Sequence, residues 1–326
     1  MLDFNPFQRT RWERWCISNV LLPQLSQFFY ILATMTQETL VQVVVACVIV
    51  LACYMYLHTV QMFDKMRNLV ELMRMLVLLK YHAYTKNGKV WSFVDDFERL
   101  VDTKADVTQF IFVDNDEHVT RSAVEQKANQ IAHWAQTKKI NLKQADTVAL
   151  IMFNRAEYVP FWLGVSKVGV RTALLNTNIT GKALVHSVTV SLEKATSKVL
   201  VVDTELRKVL QDEVKEIAKA GVKVFFWDEI SAEIEQLPTS RPDRSQRDQV
   251  KESDPFLYIF TSGTTGLPKA SKISHTRFYL GAMPAKVLCY LGPGKRMYNV
   301  LPLYHSAGGM LGAGGVLTSG ATLVVR

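Results

Sequence analysis

The chain has 326 residues, of which 48% are hydrophobic, and a formal net charge of +8. This length can bury a large core in one or two domains, and the positive charge favours anions such as nucleotides or an acidic membrane surface. The basic residues are scattered and no nucleic-acid recognition motif is present, so we expect no nucleic-acid partner. The four cysteines form no C-x-x-C pair, which indicates neither a disulfide framework nor structural zinc.

The first feature along the chain is an apolar run from Leu40 to Leu57, in which Gln42 is the one strongly polar residue. A helix of this length covers about 27 Å, just enough to span a bilayer. A buried core helix is disfavoured because the run has no polar face. A signal peptide is disfavoured because Tyr54 and Tyr56 stand where small residues would mark a cleavage site. We therefore predict a retained transmembrane helix over 40–57, after an N-terminal segment over 1–39.

The residues that flank this run predict its orientation. Residues 20–38 contain no Lys or Arg, whereas Lys65, Arg67 and Arg74 follow the run closely. The positive-inside rule then places the downstream body in the cytosol.

A juxtamembrane helical segment is predicted over 58–89. Within it, Leu69–Leu79 is apolar on much of its circumference and carries Arg74. This stretch either lies on the membrane surface or packs as an ordinary helix, and the sequence leaves both open.

Beyond residue 90, strand and helix patterns alternate. The predicted elements are a hairpin turning at Asp114–Glu117, a helix capped by Ser122 and reaching about Lys138, strand Thr147–Met152, helix Ala156–Val168, strand Arg171–Leu175, a helix capped by Thr180, strand Lys198–Val202, helix Thr204–Ala220, strand Val222–Trp227, a surface loop over Ile234–Asp254, helix His275–Leu288, and strands Met297–Leu301 and Ala321–Val325. This order predicts an α/β fold with a mostly parallel sheet, in which ligands bind beyond the carboxyl ends of the strands.

An apolar strand over Leu257–Phe260 runs into a loop rich in glycine and hydroxyl groups. Glycines allow successive backbone N–H groups to point into one concavity, and hydroxyls add donors to the same oxygen atoms. The predicted phosphate-binding residues are Thr261, Ser262, Gly263, Thr264, Thr265, Gly266 and Lys269. The spacing GTTGLPK differs from the Walker pattern, which argues against a P-loop NTPase.

Three strings carry a family resemblance: YIFTSGTTGLPKAS over 258–271, LPLYHSAGG over 301–309 and NRAEYVPFWLG over 154–164. The first resembles the phosphate-binding motif of the adenylate-forming superfamily. The second resembles its aromatic–histidine motif, and the third resembles the fatty acid transport proteins, or very-long-chain acyl-CoA synthetases. The resemblance implies that 90–326 are the N-terminal part of an acyl-CoA synthetase-like large domain.

The resemblance also implies a reaction and its cofactors. A long- or very-long-chain fatty acid would be activated with ATP to an acyl-adenylate and then to acyl-CoA, with Mg²⁺ as metal and CoA as cosubstrate. The loop would hold the β- and γ-phosphates, with Thr265 associated with Mg²⁺. His305 would be catalytic, orienting the carboxylate, and Tyr304, Gly308 and Gly309 would line the substrate pocket. The glycines would equally suit close helix packing.

Activation would be coupled to fatty acid uptake by a single-pass protein of the endoplasmic reticulum or plasma membrane, in contact with membrane lipids. The family's adenine, ribose and metal-binding segments and its catalytic lysine are expected beyond Arg326. Residues 1–326 alone are therefore expected to be inactive. The alternative function is that of a truncated, non-catalytic membrane- or lipid-binding fragment.

Overall fold

The computed structural model describes residues 45, 48–62, 66, 70, 73, 92–261 and 266–326. It divides into two compact units, residues 1–70 and 71–326, and each is described by itself. In the first unit, residues 48–62 are helical and their large apolar side chains are exposed. Within the described ranges, no helix is both long and apolar enough to cross a membrane. The predicted anchor over 40–57 lies partly outside those ranges.

The second unit alternates strands and helices, as predicted. Its main elements are α1 (Phe93–Thr103), β1 (Thr108–Phe112), β2 (Glu117–Thr120), α2 (Arg121–Gln136), β3 (Thr147–Ile151), α3 (Tyr158–Lys167), β4 (Arg171–Leu174), α4 (Gly181–Leu192), β5 (Val199–Val202), α5 (Gln211–Lys219), β6 (Lys223–Phe226), α6 (Trp227–Glu235), β7 (Pro255–Thr261), β8 (Lys269–Ser274), α7 (His275–Val287), β9 (Arg296–Asn299), a π-helical segment (Ala307–Gly314), α8 (Gly315–Ser319) and β10 (Thr322–Val325).

These strands form two sheets. The larger sheet has the order β6-β5-β3-β4-β7-β8, and every neighbouring pair is parallel except β7 and β8. The smaller sheet has the order β2-β1-β10-β9, with β10 parallel to both β1 and β9. The predicted α/β fold with mostly parallel strands is confirmed.

Apolar side chains cover both faces of the larger sheet. On one face, Phe161 and Trp162 of α3 pack with Trp134 of α2, while Phe256 and Phe278 contact Trp162 edge to face. On the other face, a second core joins the sheet to α4 and α5. Near-continuous burial of strands such as β3 and β5 is typical of a parallel sheet covered on both faces.

Two predicted element boundaries were wrong. The cap of α2 is Thr120, whose hydroxyl accepts from the Ala123 N–H, and not Ser122. The helix predicted over Thr204–Ala220 is instead a short 3₁₀ turn followed by α5. Asp203 accounts for the first turn because its side chain accepts from the Glu205 N–H and so starts a separate element.

The segment after β6 also differs from the prediction. Trp227 begins α6 and does not end a strand, because the Glu229 carboxylate accepts from the Phe226 N–H and caps the helix start. The loop over 234–254 is not wholly a surface loop. Arg247 within it is buried and pairs with Asp95 and Glu98 of α1.

Candidate functional site

The candidate phosphate loop connects two hydrogen-bonded strands. Thr261 lies opposite Lys269 in the β7–β8 pair, and the Thr261 hydroxyl donates to the Lys269 carbonyl at 3.5 Å. Because β7 also runs parallel to β4, the loop leaves the sheet at the carboxyl edge of its parallel strands. Ligands of open α/β sheets bind at this edge.

Only part of the predicted phosphate-binding set lies in the described ranges. Thr261, Gly266 and Lys269 are exposed, and Gly266 has a φ of +96°, a left-handed conformation that favours glycine. The other four predicted residues, which include the magnesium-associated one, lie outside: Ser262, Gly263, Thr264 and Thr265.

The Tyr304–His305 segment is held at the same edge by one amide side chain. Asn154, which follows β3, donates through Nδ2 to the carbonyls of Leu301 and Arg326, each at 3.2 Å. Its Oδ1 accepts from the Leu303 N–H at 2.8 Å. The side chain thus makes two bonds to the 301–303 segment, about 150 positions away in sequence, and a third to Arg326, which follows β10.

Two glycines fix the turn from the other side. A Cβ atom on Gly308 would lie 2.4 Å from the Pro302 carbonyl oxygen, and one on Gly309 would lie 2.4 Å from the Leu303 carbonyl oxygen. Any side chain at these positions would therefore displace the turn that carries Tyr304. Close packing against these carbonyls therefore accounts for both glycines. Both also lie near the start of the π-helical segment, a conformation often found at functional sites.

The His305 side chain is exposed, and its two ring nitrogens have different surroundings. Nδ1 accepts from the Ala307 N–H at 3.3 Å. Within the part of the chain that the structure describes, Nε2 has no protein partner. With Nδ1 as an acceptor, the neutral ring carries its proton on Nε2, which leaves a donor facing solvent.

A buried phenol lies close to Tyr304. Tyr158, at the start of α3, is 1% exposed, and its hydroxyl has no hydrogen-bond partner among the described residues. Burial, together with the nearby Tyr304 hydroxyl, raises the pKa of Tyr158 well above its ordinary value. The Tyr158 hydroxyl therefore stays protonated and remains a potential donor beside Tyr304.

A cleft of about 330 Å³ opens between the carboxyl ends of the two sheets, and Phe112, Asn154, Arg155 and Asp203 are among its lining residues. Arg155 contacts Glu157 at 2.9 Å and Asp203 at 3.4 Å. Burial opposes the charged guanidinium, but these carboxylates outweigh it and raise the pKa of Arg155. Arg155 is therefore a fixed cation with its charge already compensated.

The structure brings the two predicted motifs to one edge. Asn154 ties the Tyr304–His305 segment to the end of β3, and the candidate phosphate loop follows β7. The two strands are separated by β4 alone, so their ends lie about 10 Å apart at the usual strand spacing. A ligand of nucleotide size can span that distance.

Sequence reasoning missed the roles of Asn154 and Tyr158. In the sequence analysis these two residues appear only as part of the NRAEYVPFWLG string that carries the family resemblance. One signal was present for the first: a short polar side chain directly after a buried strand stands where a parallel sheet exposes its ligand-binding edge. No comparable signal existed for Tyr158, because its unpartnered hydroxyl depends on packing. His275, which begins α7, is buried, and its ring accepts from the Phe93 N–H at 3.1 Å.

The described residues do not assemble a metal site. Among 92–261 and 266–326, no group of three or more His, Cys, Asp or Glu side chains could hold a metal ion. Mg²⁺ is usually held by one or two carboxylates together with substrate phosphates. A group of three protein ligands is therefore not required, and substrate phosphates would supply part of the coordination.

Residues 97–326 match the family model described as AMP-binding enzyme. The chain belongs to the AMP-binding enzyme family. The phosphate-loop string and the Tyr304–His305 string both lie within the matched region, and so do all ten strands.

Similar proteins include members of this family that are named for fatty acids. The chain is 35% identical over 220 residues to long-chain fatty acid transport protein 2 of Rattus norvegicus, covering 65% of this chain and 34% of the relative. It is 32% identical to long-chain fatty acid transport protein 6 of Homo sapiens, covering 77% and 40%. The chain thus spans well under half the length of these relatives.

A solved structure shares the fold of this AMP-binding chain. The anthranilate CoA ligase AuaEII, solved in complex with anthranoyl-AMP, superposes with a TM-score of 0.64 at 20% identity, covering 73% of this chain and 44% of that chain. Similarity at this level of identity establishes the common architecture of the two sheets and their helices.

Proposed function

We propose that this chain provides the phosphate-binding and acyl-facing part of an ATP-dependent ligase for long- or very-long-chain fatty acids. The observation that carries the proposal is the meeting of two elements at one edge of the sheet. One is the hydroxyl-rich hairpin loop after β7, and the other is the Tyr304–His305 turn held by Asn154. Family membership supports adenylate chemistry, and the names of the relatives support a fatty acid substrate.

The proposed reaction has two steps. A fatty carboxylate oxygen attacks the α-phosphorus of ATP, the bond to the bridging oxygen breaks, and pyrophosphate leaves with the electron pair. The thiolate of CoA then attacks the acyl carbon and expels AMP, which gives the acyl thioester. Both steps bring anions together, so their main demand is for donors and cations arranged in advance.

The side chains of this chain would meet that demand at three places. The loop from Thr261 to Gly266 would donate to the β- and γ-phosphate oxygens, and Lys269 would add a supporting charge. The Nε2–H of His305 would donate to the carboxylate and orient it toward the α-phosphorus. Tyr304 would form the wall between adenylate and acyl chain.

We also propose that residues 40–57 anchor the protein in a membrane of the endoplasmic reticulum or cell surface, with the catalytic body in the cytosol. An anchor would place the ligase beside its lipid substrate, and acyl-CoA formation would trap an incoming fatty acid as a charged ester. Support comes from the apolar run and from the exposed apolar helix over 48–62.

Fatty-acid-dependent exchange of pyrophosphate into ATP tests the proposal in a protein that carries the complete family domain. We expect Thr264→Ala and Lys269→Ala each to lower exchange by about 10² to 10³, the usual effect of removing one preorganised donor. Lys219→Ala, which removes an exposed lysine from α5, is the control and should exchange normally. Exchange within twofold of wild type for both loop variants would refute the assignment.

An assay of acyl-CoA formation from ATP, CoA and a long-chain fatty acid on residues 1–326 alone tests whether these residues are catalytic by themselves or are the non-catalytic, lipid-binding fragment of the alternative. We expect no measurable acyl-CoA formation from these residues, because the reaction needs all of its binding groups positioned together. Turnover well above a Lys269→Ala control would show that residues 1–326 suffice.

A further inference from the structure

A second cleft, of about 490 Å³, runs along the face of the larger sheet beside α4. A row of residues paired across three strands crosses its floor, because Ala173 of β4 lies opposite Tyr258 of β7, which lies opposite Lys272 of β8. His186 and Lys194, from α4 and the turn that follows it, line the side wall.

The charge of this second cleft is unbalanced. Its lining includes four basic side chains, from Arg171, Lys194, Lys269 and Lys272, and a single carboxylate, from Glu193. Across the described part of the second unit, none of these four basic groups makes an ion pair or a side-chain hydrogen bond.

Several basic residues elsewhere in the same unit are compensated by carboxylates. Arg207 pairs with Asp228 and Glu229, and Lys167 pairs with two glutamates. Like charges gathered in a concave surface repel one another and concentrate anions from solution. The unpaired set around the second cleft is therefore the arrangement expected of an anion site.

The spacing of the basic groups limits the ligand. Lys269 and Lys272 lie three positions apart on β8, so about 10 Å separates their backbone positions at the rise of an antiparallel strand. Arg171, at the start of β4, lies two positions before Ala173 in the floor row. A single phosphate group could not contact all of these side chains, whereas a ligand with two or more phosphates could.

We propose that the second cleft binds an anion that carries two or more phosphate groups, separately from the candidate phosphate loop. The loop leaves the sheet at its carboxyl edge, whereas this cleft extends along the face as far as Thr147 and Arg171, at the opposite ends of β3 and β4. The two sites share Lys269, and the other three basic residues lie outside the candidate phosphate loop. The phosphates could be those of a free polyphosphate or of a phosphoinositide headgroup.

Calorimetric titration of residues 1–326 in neutral detergent tests the proposal with two probes, inorganic triphosphate and soluble inositol trisphosphate. The test variant is Lys194→Gln with Lys272→Gln, since both side chains are exposed. The matched control is Lys182→Gln with Lys219→Gln, which removes the same charge from exposed positions outside the cleft.

We expect at least one probe to bind and the test variant to weaken that binding by about tenfold or more, because charge-assisted contacts are lost. The control variant should bind like wild type, and Thr264→Ala, which alters the phosphate loop alone, should weaken binding less than the test variant does. Tighter binding of triphosphate would indicate a free polyphosphate, and tighter binding of inositol trisphosphate a lipid headgroup.

Three results would overturn the proposal: no binding of either probe, equal weakening in test and control variants, or loss of binding in Thr264→Ala. The last would assign the probe to the phosphate loop. Because neither probe contains a fatty acid or an adenine group, failure of the proposed ligase activity would leave this test unaffected.

Discussion

The Oδ1 atom of Asn154 accepts a hydrogen bond from the Leu303 N–H at 2.8 Å, and this bond connects the end of β3 to the turn that precedes His305. The Nδ2 atom of the same side chain donates to the Leu301 carbonyl, which also accepts from the Asn299 side chain. Asn154 is therefore a positioning residue for the candidate site, and its amide can be tested atom by atom.

Substituting Asn154 should loosen the turn in two distinguishable ways. In Asn154→Ala, the Leu303 amide loses its acceptor, and we expect faster hydrogen exchange there together with a loss of about 1–3 kcal/mol in unfolding free energy. In Asn154→Asp, the acceptor remains and the donors are lost, so the Leu303 amide should stay protected. Asn115→Ala, which removes an exposed amide bonded to Glu117, is the control. Equal protection of Leu303 in all variants would show that the bond contributes nothing.

Stability should depend on pH through His275. Burial, with a smaller contribution from Arg171, lowers the pKa of His275 from 6.5 to about 4, and its ring stacks on Phe256. Between these values the unfolded chain binds a proton that the folded chain does not. The contribution to stability is therefore complete above pH 6.5 and falls by about 1.4 kcal/mol per pH unit below it.

The unfolding free energies of wild type and His275→Gln are measured at pH 7, 6 and 5. The carboxylates titrate in both proteins, so the difference between the two free energies reports the contribution of His275. Glutamine can still accept the Phe93 N–H bond but does not titrate. Wild type should lose roughly 1–2 kcal/mol more than the variant across this range. Parallel pH profiles would contradict the assigned pKa.

A buried ion cluster should be far more sensitive to substitution than a surface pair. Lys167 is fully buried and pairs with Glu98 at 2.6 Å and Glu125 at 3.0 Å. Lys167→Met would leave both carboxylates without this cation, and breaking such buried pairs typically costs about 3–5 kcal/mol. Lys127→Met, which breaks the more exposed Lys127–Glu235 pair, should cost about 0–1 kcal/mol. Denaturant unfolding of both variants gives the comparison, and similar costs would refute it.

Membrane attachment should depend on the run over 40–57. Carbonate extraction should leave the wild-type chain in the membrane pellet. Arginine at Val48 and Leu51, two exposed apolar positions on one helix face, should release it, because each charge at the centre of a span costs about 2.5–3.5 kcal/mol. Met66→Arg, outside the run, is the control and should remain in the pellet. Recovery of wild type in the supernatant would exclude the anchor.

The sequence by itself determined the α/β class and the approximate positions of most strands and helices in the second unit. Local patterns suffice for this, because continuous apolar runs such as Val199–Val202 and a glycine after a helix, such as Gly169 with a φ of +74°, act within a few residues. The first residue of a helix was less predictable where a neighbouring side chain caps the helix start, as Asp203 does for the 3₁₀ turn before α5. The phosphate-loop string and the Tyr304–His305 string were likewise visible in the sequence.

Only the tertiary structure decided which distant groups meet. The three hydrogen bonds of Asn154, the burial of Arg247 against Asp95 and the gathering of unpaired basic groups beside α4 all join positions remote in sequence. Each depends on strand order, and a strand can exchange neighbours without any change in its own pattern of apolar residues. The sequence therefore predicts the elements, whereas strand order and packing create the sites between them.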